Sequence, residues 1–375
     1  MASIYLDYNA STPTDPAVAA AMQPLLKGAF GNPSSGHWAS APAKAALEHA
    51  RDQVAALLGG APDEVVLTSG GSEANNLALK GVFFALAPKG EHIITTEVEH
   101  PSVVGPCRFL EHMGATVTFL PVDGTGRVNP DDVRGAITGR TILISVMHAN
   151  NEVGTIQPVE EIGVIAREHG ILFHTDAAQS VGKIPTNVDA LGVDLLSIAG
   201  HKLYAPKGVG ALYVRKGVTL EPLIHGAGHE RGRRAGTESV LLAVALGTAC
   251  TLAQDLVLMA RIHALRDRFW RALQRHFADR VVLNGHPQHR LPNTLNVSFV
   301  GQIGTEILKR LVDVAASTGS ACHSGQIELS PVLRAMNVPP EIGMGAIRFS
   351  LGRWTTEGDI DGVCERLTRL LAPIP

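Results

Sequence analysis

A lysine stands where an apolar segment of the chain ends. Residues 194–199 form an apolar run, Gly200 interrupts it, and Lys202 follows just before a turn rich in Pro and Gly. Burying a lysine is costly unless its charge is matched or its pKa is lowered. A neutral amine is the nucleophile that forms a Schiff base with a carbonyl cofactor. The alternative, commoner for an isolated lysine, is a side chain that only extends its charge into water.

A second polar pair lies on a predicted strand. His174 and Asp176 alternate onto one face, which is one property of a metal site, but no third ligand stands at a suitable spacing. A buried aspartate needs a cationic or hydrogen-bond-donating partner. A protonated pyridine nitrogen is such a partner, and a lysine Schiff base with an aspartate at that nitrogen is the pyridoxal phosphate arrangement. Lys202 and Asp176 together therefore indicate more than either residue alone.

Three further strand ends carry small or polar residues. Residues 68–76 include Gly70, Gly71 and Ser72 at a strand-to-helix turn, where backbone N–H groups can hold a phosphate. The turn lacks the GK[ST] of a P-loop, and the alternative is a simple capping turn with Ser72 as the N-cap. His100 precedes a proline, which predicts a rigid, non-helical backbone; it suits ring stacking or proton transfer, with a structural histidine as the alternative. Asn151 belongs to a pair of amides that can orient a hydroxyl or carboxylate.

The order of the predicted elements defines the fold class. From about residue 64 to 214, short apolar segments alternate with helical ones, and residues 141–147 form an unbroken apolar run typical of a buried strand. This β-then-α order predicts an α/β fold with a mostly parallel sheet and helices on both faces. Ligands bind at the carboxyl ends of the strands in such sheets.

The pattern changes near Gly236. Residues 239–276 form a nearly unbroken helical run, suited to linking two domains, and the remainder predicts a smaller α+β domain. We expect a large cofactor-binding domain of residues 16–250. Residues 1–15 and 251–375 are expected to form the small domain, which contains the segment of residues 317–330.

Composition narrows the function classes. The 375 residues carry a formal net charge of −3 and no long basic stripe, so direct nucleic-acid binding is not expected. No apolar run reaches the length of a membrane span, and the first ten residues are too polar for a signal peptide. The four cysteines are scattered, without metal or disulfide spacing. A cytoplasmic protein with no membrane association is expected.

In combination, these motifs resemble the cysteine desulfurases of the NifS/IscS type, within the class V aminotransferase-like enzymes that use pyridoxal 5'-phosphate. The resemblance runs from Tyr5-Leu6-Asp7-Tyr8 to Ile347-Arg348-Phe349-Ser350-Leu351-Gly352-Arg353. Each motif is moderately specific, but their occurrence together in the family's order is very specific. The resemblance implies the fold-type-I architecture and conversion of L-cysteine to L-alanine.

The resemblance implies roles around the cofactor ring. It implies that Lys202 forms the Schiff base and that Asp176 pairs with the pyridinium nitrogen. It also implies that Gln179 hydrogen-bonds the ring hydroxyl, and that His100 stacks on the ring and assists proton transfers.

Phosphate contacts are implied for another group of residues. Ser72 and His201 are implied to hold the phosphate with the turn amides at Gly70 and Gly71. Thr237 resembles a threonine that reaches the phosphate of a partner subunit, which implies a homodimer.

The substrate-side residues follow from the same resemblance. Asn151, which it also places among the cofactor ligands, and Arg348 are implied to bind the substrate carboxylate, for which a bidentate arginine is suited. Cys322 lies in a run of small polar residues, as an exposed cysteine does, and resembles the nucleophile that takes the substrate sulfur as a persulfide. The persulfide would pass to a sulfur-acceptor protein, in iron–sulfur cluster assembly, tRNA thiolation or DNA phosphorothioation.

Two positions depart from the family pattern. Ala199 stands where many relatives have a serine that contacts the phosphate, and His323 stands where threonine is common. A protonated His323 would lower the thiol pKa of Cys322 and is a feature shared with selenocysteine lyases. The alternatives are therefore a selenocysteine lyase, another aminotransferase or lyase of the same fold, or a non-catalytic sulfur-transfer scaffold.

Overall fold

The computed structural model describes residues 3–319, 322–323 and 326–371, without the side chains of residues 322, 323, 326 and 327. The strands are β1 Ile4–Tyr5, β2 Val65–Thr68, β3 His92–Thr96, β4 Thr116–Leu120, β5 Thr141–Ser145, β6 Leu172–Asp176, β7 Leu195–Ala199, β8 Gly210–Val214, β9 Val281–Asn284, β10 Thr294–Phe299, β11 Val314–Ala315, β12 Cys322–His323, β13 Gln326–Ile327 and β14 Ala346–Ser350. The helices are α1 Pro16–Met22, α2 Leu25–Gly28, α3 Ala41–Leu58, α4 Gly71–Leu86, α5 Pro101–His112, α6 Pro130–Ala136, α7 Val159–Glu168, α8 Val188–Leu191, α9 Val240–Ala253, α10 Val257–Phe277, α11 Gly304–Arg310, α12 Pro331–Ala335, α13 Pro340–Gly343 and α14 Glu357–Leu370.

A seven-stranded sheet forms the centre of the fold, in the order β2-β8-β7-β6-β5-β3-β4. Only β8 runs antiparallel to its neighbours β2 and β7, and the pairs from β7 to β4 are all parallel. The prediction of a mostly parallel sheet is confirmed. Every strand except β8 therefore ends at the same edge, where side chains from distant parts of the sequence meet.

Helices cover both faces of this sheet, as predicted. Leu195 of β7 packs in a cluster with α4 and α5 on one face. The next residue, Leu196, points to the opposite face and packs in a cluster with α3, α7 and α9. Successive strand residues alternate between faces, so a strand that is apolar throughout must be covered on both sides.

A smaller antiparallel sheet, in the order β14-β10-β9, packs with α10 and α14 around a separate hydrophobic cluster. β1 pairs with β11 in parallel, and Ile4 and Leu6 are buried in that cluster. These contacts join the first residues of the chain to its last third. The division into a domain of residues 16–250 and one of residues 1–15 and 251–375 stays a prediction.

Two predicted helices are interrupted. The expected continuous helix of residues 239–276 is wrong, because α9 ends at Ala253 and α10 begins at Val257 with a bend of 74° between them. The Asp255 carboxylate accepts a hydrogen bond from the backbone N–H of Val257, a local bond that competes with a continuous helix. Residues 15–27, whose sequence also predicts one continuous helix, instead form the two short helices α1 and α2, since Pro24 has no N–H to donate.

Some short elements were not predicted from the sequence. Helix α6 begins after Asn129, whose side chain accepts from Asp131 N–H, and this capping pattern with Pro130 at the first helical position is a recognisable start signal. Helix α8 has a similar cap at Asn187. Strands β9 and β14 were also not predicted; their pairing with β10 is a long-range contact.

Within the described residues, no single helix is long and apolar enough to cross a membrane. The bent pair formed by α9 and the following helix meets the length and composition criterion only when the two are taken together. Helix α9 packs against α3 inside the fold.

Candidate active site

A cavity of about 440 Å³ opens at the carboxyl edge of the central sheet. Its volume lies within the range of small-molecule sites. Its walls come from the ends of strands that are far apart in sequence, together with residues 9–10 and strand β14. Nine residues expected in the site line it: Gly71, Ser72, His100, Asn151, Asp176, Gln179, His201, Lys202 and Arg348.

Lys202 lies in a short 3₁₀ turn directly after β7. Its Nζ donates to the backbone oxygens of Asn9, at 2.5 Å, and Ala10, at 2.7 Å. Burial, with a smaller contribution from the positive charge of Arg348, lowers the pKa of the Lys202 amine to about 8. An amine with this pKa is neutral in roughly a tenth of the molecules at pH 7, far more than an ordinary lysine, and the neutral amine is the nucleophilic form.

Asp176 ends β6 and is buried. Its carboxylate accepts from Asn75 Nδ2 at 2.7 Å and from the backbone N–H of Ala178 at 2.9 Å. Both donors are neutral, and no ion pair to Asp176 occurs among the described residues. A buried carboxylate without a protein cation fits a ligand that brings its own positive charge, as a protonated pyridine nitrogen does.

His100 occupies the N-cap of α5 in an extended backbone conformation, as predicted for a residue before proline. Its Nδ1 accepts from the backbone N–H of Ser102, a group that can only donate, so the neutral ring carries its hydrogen on Nε2. Burial lowers the pKa of His100, although Asp176 opposes this shift. The neutral imidazole forms one wall of the cavity.

Asn75 links Asp176 to Ser102, the residue that donates to His100, and was not identified from the sequence. Its Nδ2 donates to Ser102 Oγ at 2.8 Å as well as to Asp176. Asn75 follows Ser72 by three residues, so both lie on the same side of helix α4. The signal available in the sequence was this helical spacing within the strand-end motif of residues 68–76.

The N-terminus of α4 forms another wall. The helix begins at Gly71 with Gly70 at the cap position, so the interpretation of Ser72 as N-cap is wrong. Gly70 lies close to Gly210 on the adjacent strand. A Cβ on Gly210 would lie only 2.7 Å from the Cα of Gly70, so no side chain fits at residue 210. Ala199 also lines the cavity, and its methyl group offers no hydroxyl to a ligand at this point of the wall.

His201 lines the cavity next to this helix end. Its Nδ1 lies 3.3 Å from Ser11 Oγ. Burial lowers the pKa of His201 to about 4, with a smaller contribution from the neighbouring charge of Lys202. The ring is therefore neutral at physiological pH and can donate one hydrogen bond to an anion.

Two residues expected at the phosphate lie outside the lining of this cavity. Gly70 is set back behind Gly71, and Thr237 is exposed in a separate cleft formed with Ser69 and Arg234. In a single chain Thr237 thus faces outward. Its contact with a partner subunit stays a prediction.

Arg348 lies on β14 and also lines the cavity. Its Nη2 pairs with Asp7 Oδ1 at 2.8 Å, and its Nη1 donates to the backbone oxygen of Asn151 at 2.9 Å. Its Nε is buried and has no partner among the described residues. The guanidinium is held in place by protein acceptors, and Nη1 and Nη2 each have a second N–H that can donate to a ligand carboxylate.

His174 has a structural role. The ring is fully buried and bridges Ser145 Oγ, at 2.8 Å from Nδ1, and Ser197 Oγ, at 3.0 Å from Nε2. Burial lowers its pKa to about 3. Both ring nitrogens therefore bond neighbouring strands. In the described part of the chain no group of three His, Cys, Asp or Glu residues has the arrangement of a metal site.

The structure describes the side chains of three of the four cysteines and only the backbone of Cys322. Cys107, Cys250 and Cys364 are buried, and burial raises their thiol pKa to about 12, 12 and 11. These thiols stay protonated at neutral pH, as expected of structural cysteines. The backbone of Cys322 pairs with Ile327 in the β12–β13 hairpin, but its side chain, like that of His323, lies outside the described residues.

Glu152 lies against the start of the segment that carries Cys322. Its carboxyl is buried, and burial raises its pKa. A Cβ added to Gly319 would overlap this carboxyl group. A side chain at residue 319 would therefore have to displace the buried Glu152 carboxyl group.

We expect Gly319→Ala to lower the free energy of unfolding by about 1–3 kcal/mol, the usual cost of overpacking. Urea unfolding of the full chain measures this change. Gly105→Ala is the matched control, because its added Cβ would meet no atom within 4 Å and alanine is the better helix former. Equal stability of the two variants would contradict the close contact between Gly319 and Glu152.

Comparisons with known proteins identify the family of the chain. The model of the family "Aminotransferase class-V" matches residues 4–363. Cysteine desulfurase IscS of Dictyoglomus turgidum is 51% identical over 373 residues, which are 98% of this chain and 94% of that protein. A solved NifS-like protein aligns with a TM-score of 0.93 and 36% identity over 99% of this chain and all of the other. The solved structure of SspA in complex with cysteine aligns with a TM-score of 0.84 and 37% identity over 94% of this chain and all of the other.

The chain belongs to the class-V aminotransferase family, in its NifS/IscS group of cysteine desulfurases.

Proposed function

We propose that this protein is a pyridoxal 5'-phosphate-dependent L-cysteine desulfurase. The observation that carries the proposal is one cavity that joins a partly buried lysine of lowered pKa, Lys202, to a buried aspartate without a protein cation, Asp176. The relatives named cysteine desulfurase support the reaction, and the similar SspA structure is a complex with cysteine. The overall reaction converts L-cysteine and the Cys322 thiol to L-alanine and a Cys322 persulfide.

The residues in the cavity are suited to hold the cofactor. Lys202 would attach it, Asp176 would pair with its pyridinium nitrogen, and Gln179 would bond the ring hydroxyl. When bound, the cofactor supplies an electron sink for bond cleavage next to the substrate amine. The neutral His100 ring would stack on the cofactor.

Phosphate binding is assigned to the cavity wall at the start of α4. The N–H groups of Gly71 and Ser72 at the start of α4 favour an anion, with Gly70 shaping the turn. His201 would donate from its neutral ring. In a homodimer, Thr237 of each chain would reach the phosphate of the other site.

The substrate residues act by orientation and proton transfer. Arg348 and Asn151 would orient the carboxylate of cysteine, and the amine of Lys202 would accept and return a proton, with His100 Nε2 as a second carrier. The Cys322 thiolate attacks the substrate sulfur, so that the carbon–sulfur bond breaks and the sulfur stays on Cys322. The persulfide then passes to an acceptor protein in the cytoplasm; iron–sulfur cluster assembly, tRNA thiolation and DNA phosphorothioation all use such a donor.

The direct test is alanine formation by the purified protein supplied with L-cysteine and a thiol reductant. Alanine in stoichiometric yield with released sulfide supports the proposal. Selenocysteine lyase is the second candidate, favoured by His323 beside Cys322. A rate on selenocysteine far above that on cysteine would establish the lyase, and no product from either in a cofactor-loaded protein would contradict both.

Arg348→Lys is expected to raise KM for L-cysteine by about tenfold or more with a smaller effect on kcat, because a lysine loses the fixed planar donors of arginine. Steady-state kinetics measures the two constants separately. Arg353→Lys is the matched control, since Arg353 also pairs with a carboxylate, that of Asp15, but lies outside the cavity lining. An equal rise of KM in both variants would assign the effect to general loosening of the fold.

A further inference from the structure

Lys183 is a buried amine that the proposed reaction does not use. Its side chain is almost completely buried, and no ion pair to it occurs among the residues the structure describes. Burial lowers the pKa of its amine to about 7, with smaller contributions from the charges of Lys202 and Arg348. A buried lysine without a carboxylate costs stability. Its retention in the core requires another explanation.

The main partner of Lys183 is a residue of the cavity wall. Lys183 Nζ donates to Gln179 Oε1 at 3.0 Å, and a longer contact of 3.5 Å joins it to Asn9 Oδ1. Gln179 lines the cavity and lies four residues before Lys183, in a turn that follows β6. The Lys183 amine thus contacts a side chain, that of Gln179, which also lines the cavity.

Two independent contacts define the orientation of the Gln179 amide. Lys183 offers N–H donors, so the amide oxygen faces it. The backbone oxygen of Asn9 can only accept, and Gln179 Nε2 donates to it at 3.0 Å. Both contacts demand the same orientation of the carboxamide. The second hydrogen of Nε2 is then left for a ligand in the cavity.

The same backbone oxygen connects this pair to Lys202. Asn9 O accepts from Lys202 Nζ as well as from Gln179 Nε2. The Asn9 side chain is itself held by Asn293 Nδ2, which donates to its Oδ1 at 2.9 Å. Lys183, Gln179 and Lys202 therefore belong to one hydrogen-bond network around Asn9.

We propose that Lys183 is a positioning residue that keeps the Gln179 carboxamide turned with its N–H toward the ligand. The inference rests on the proposed function, because the ligand group in question is the ring oxygen of pyridoxal phosphate. A donor stabilises that oxygen as an anion. If the amide turned over, its Oε1 would face the ring oxygen and repel it.

The test is a double-mutant cycle on cofactor binding. Lys183→Met, Gln179→Ala and the double variant are prepared as full chains, freed of cofactor by dialysis and titrated with pyridoxal 5'-phosphate. The Kd and the absorbance maximum of the bound cofactor are measured. We expect each single variant to bind about tenfold more weakly, the effect of one lost hydrogen bond, and the double variant to bind no more weakly than Gln179→Ala.

Two further variants separate positioning from a general structural role. Gln179→Glu keeps the acceptor for Lys183 but has no N–H for the ligand, so it is expected to weaken binding and shift the absorbance maximum. Arg290→Met removes another buried cation outside the cavity lining and is expected to leave Kd unchanged. In urea unfolding without cofactor, Lys183→Met is expected to be as stable as the parent or more so, because it removes an uncompensated buried amine.

If the double variant bound the cofactor about a hundredfold more weakly than the parent, the two single effects on Kd would multiply. That result would overturn the inference, since Lys183 would then act independently of Gln179. An unchanged Kd in Lys183→Met would overturn it as well. If the parent protein binds pyridoxal phosphate, these results leave the proposed desulfurase function standing. A parent protein that binds none would overturn both.

Discussion

Cys322→Ala is expected to retain the bound cofactor and lose alanine formation from L-cysteine by a factor of about 10³ or more, because the nucleophile that takes the sulfur is removed. The lysine, the aspartate and the cavity wall are untouched by this change. The absorbance of the cofactor and the alanine produced are measured on the same sample. A mass increase of one sulfur atom on the parent peptide that contains Cys322, absent from the variant, identifies the persulfide.

Cys250→Ala is the matched control for this experiment. Cys250 is buried in the core, and its raised thiol pKa keeps it protonated at neutral pH, so its removal is expected to preserve alanine formation. If Cys322→Ala formed alanine at the parent rate, sulfur transfer to Cys322 would be refuted and a lyase reaction would be favoured. Loss of the cofactor absorbance in Cys322→Ala would also contradict the separation of the two roles.

Lys202→Ala is expected to abolish covalent attachment of the cofactor and to lower kcat by at least about 10³, since one residue supplies both the attachment and a proton carrier. The pKa of about 8 for this amine leaves it partly neutral at neutral pH, which is the reactive form. Borohydride reduction followed by peptide mass analysis is expected to label Lys202 in the parent protein and nothing in the variant.

Lys207→Ala removes an exposed lysine from the same turn and serves as the matched control, with labelling and activity preserved. Labelling of a different lysine in the parent protein would contradict the assignment of Lys202. Full activity of Lys202→Ala without added amines would contradict the proposed role altogether.

The fold class and most of the cavity wall follow from local sequence patterns. Unbroken apolar runs such as residues 141–147 predict buried strands because both of their faces must be covered. Small or polar residues directly after such runs, among them Gly71, His100 and Lys202, then have to meet at one edge of a parallel sheet. The function was predicted from the occurrence of these motifs together in the order of a known family. The sequence did not reveal where helices end, as the break between α9 and α10 shows.

Contacts made through the backbone were decided only by the tertiary structure. The oxygen of Asn9 accepts from both Lys202 and Gln179, which follow it by 193 and 170 residues. Any residue type offers such an oxygen, so no pattern of side chains marks it in the sequence. The same holds for the lack of space at Gly319, which arises because Glu152 is buried beside it.

By itself the sequence determined the family, the parallel sheet and the reactive residue types, because these depend on local composition and on the order of motifs. The tertiary structure alone decided which of those residues share a cavity, which leave a charge unmatched, as Asp176 does, and which buried groups hold them, as Lys183 and Asn75 do. Burial and distance create those properties. They arise only when segments far apart in the chain pack together and exclude water.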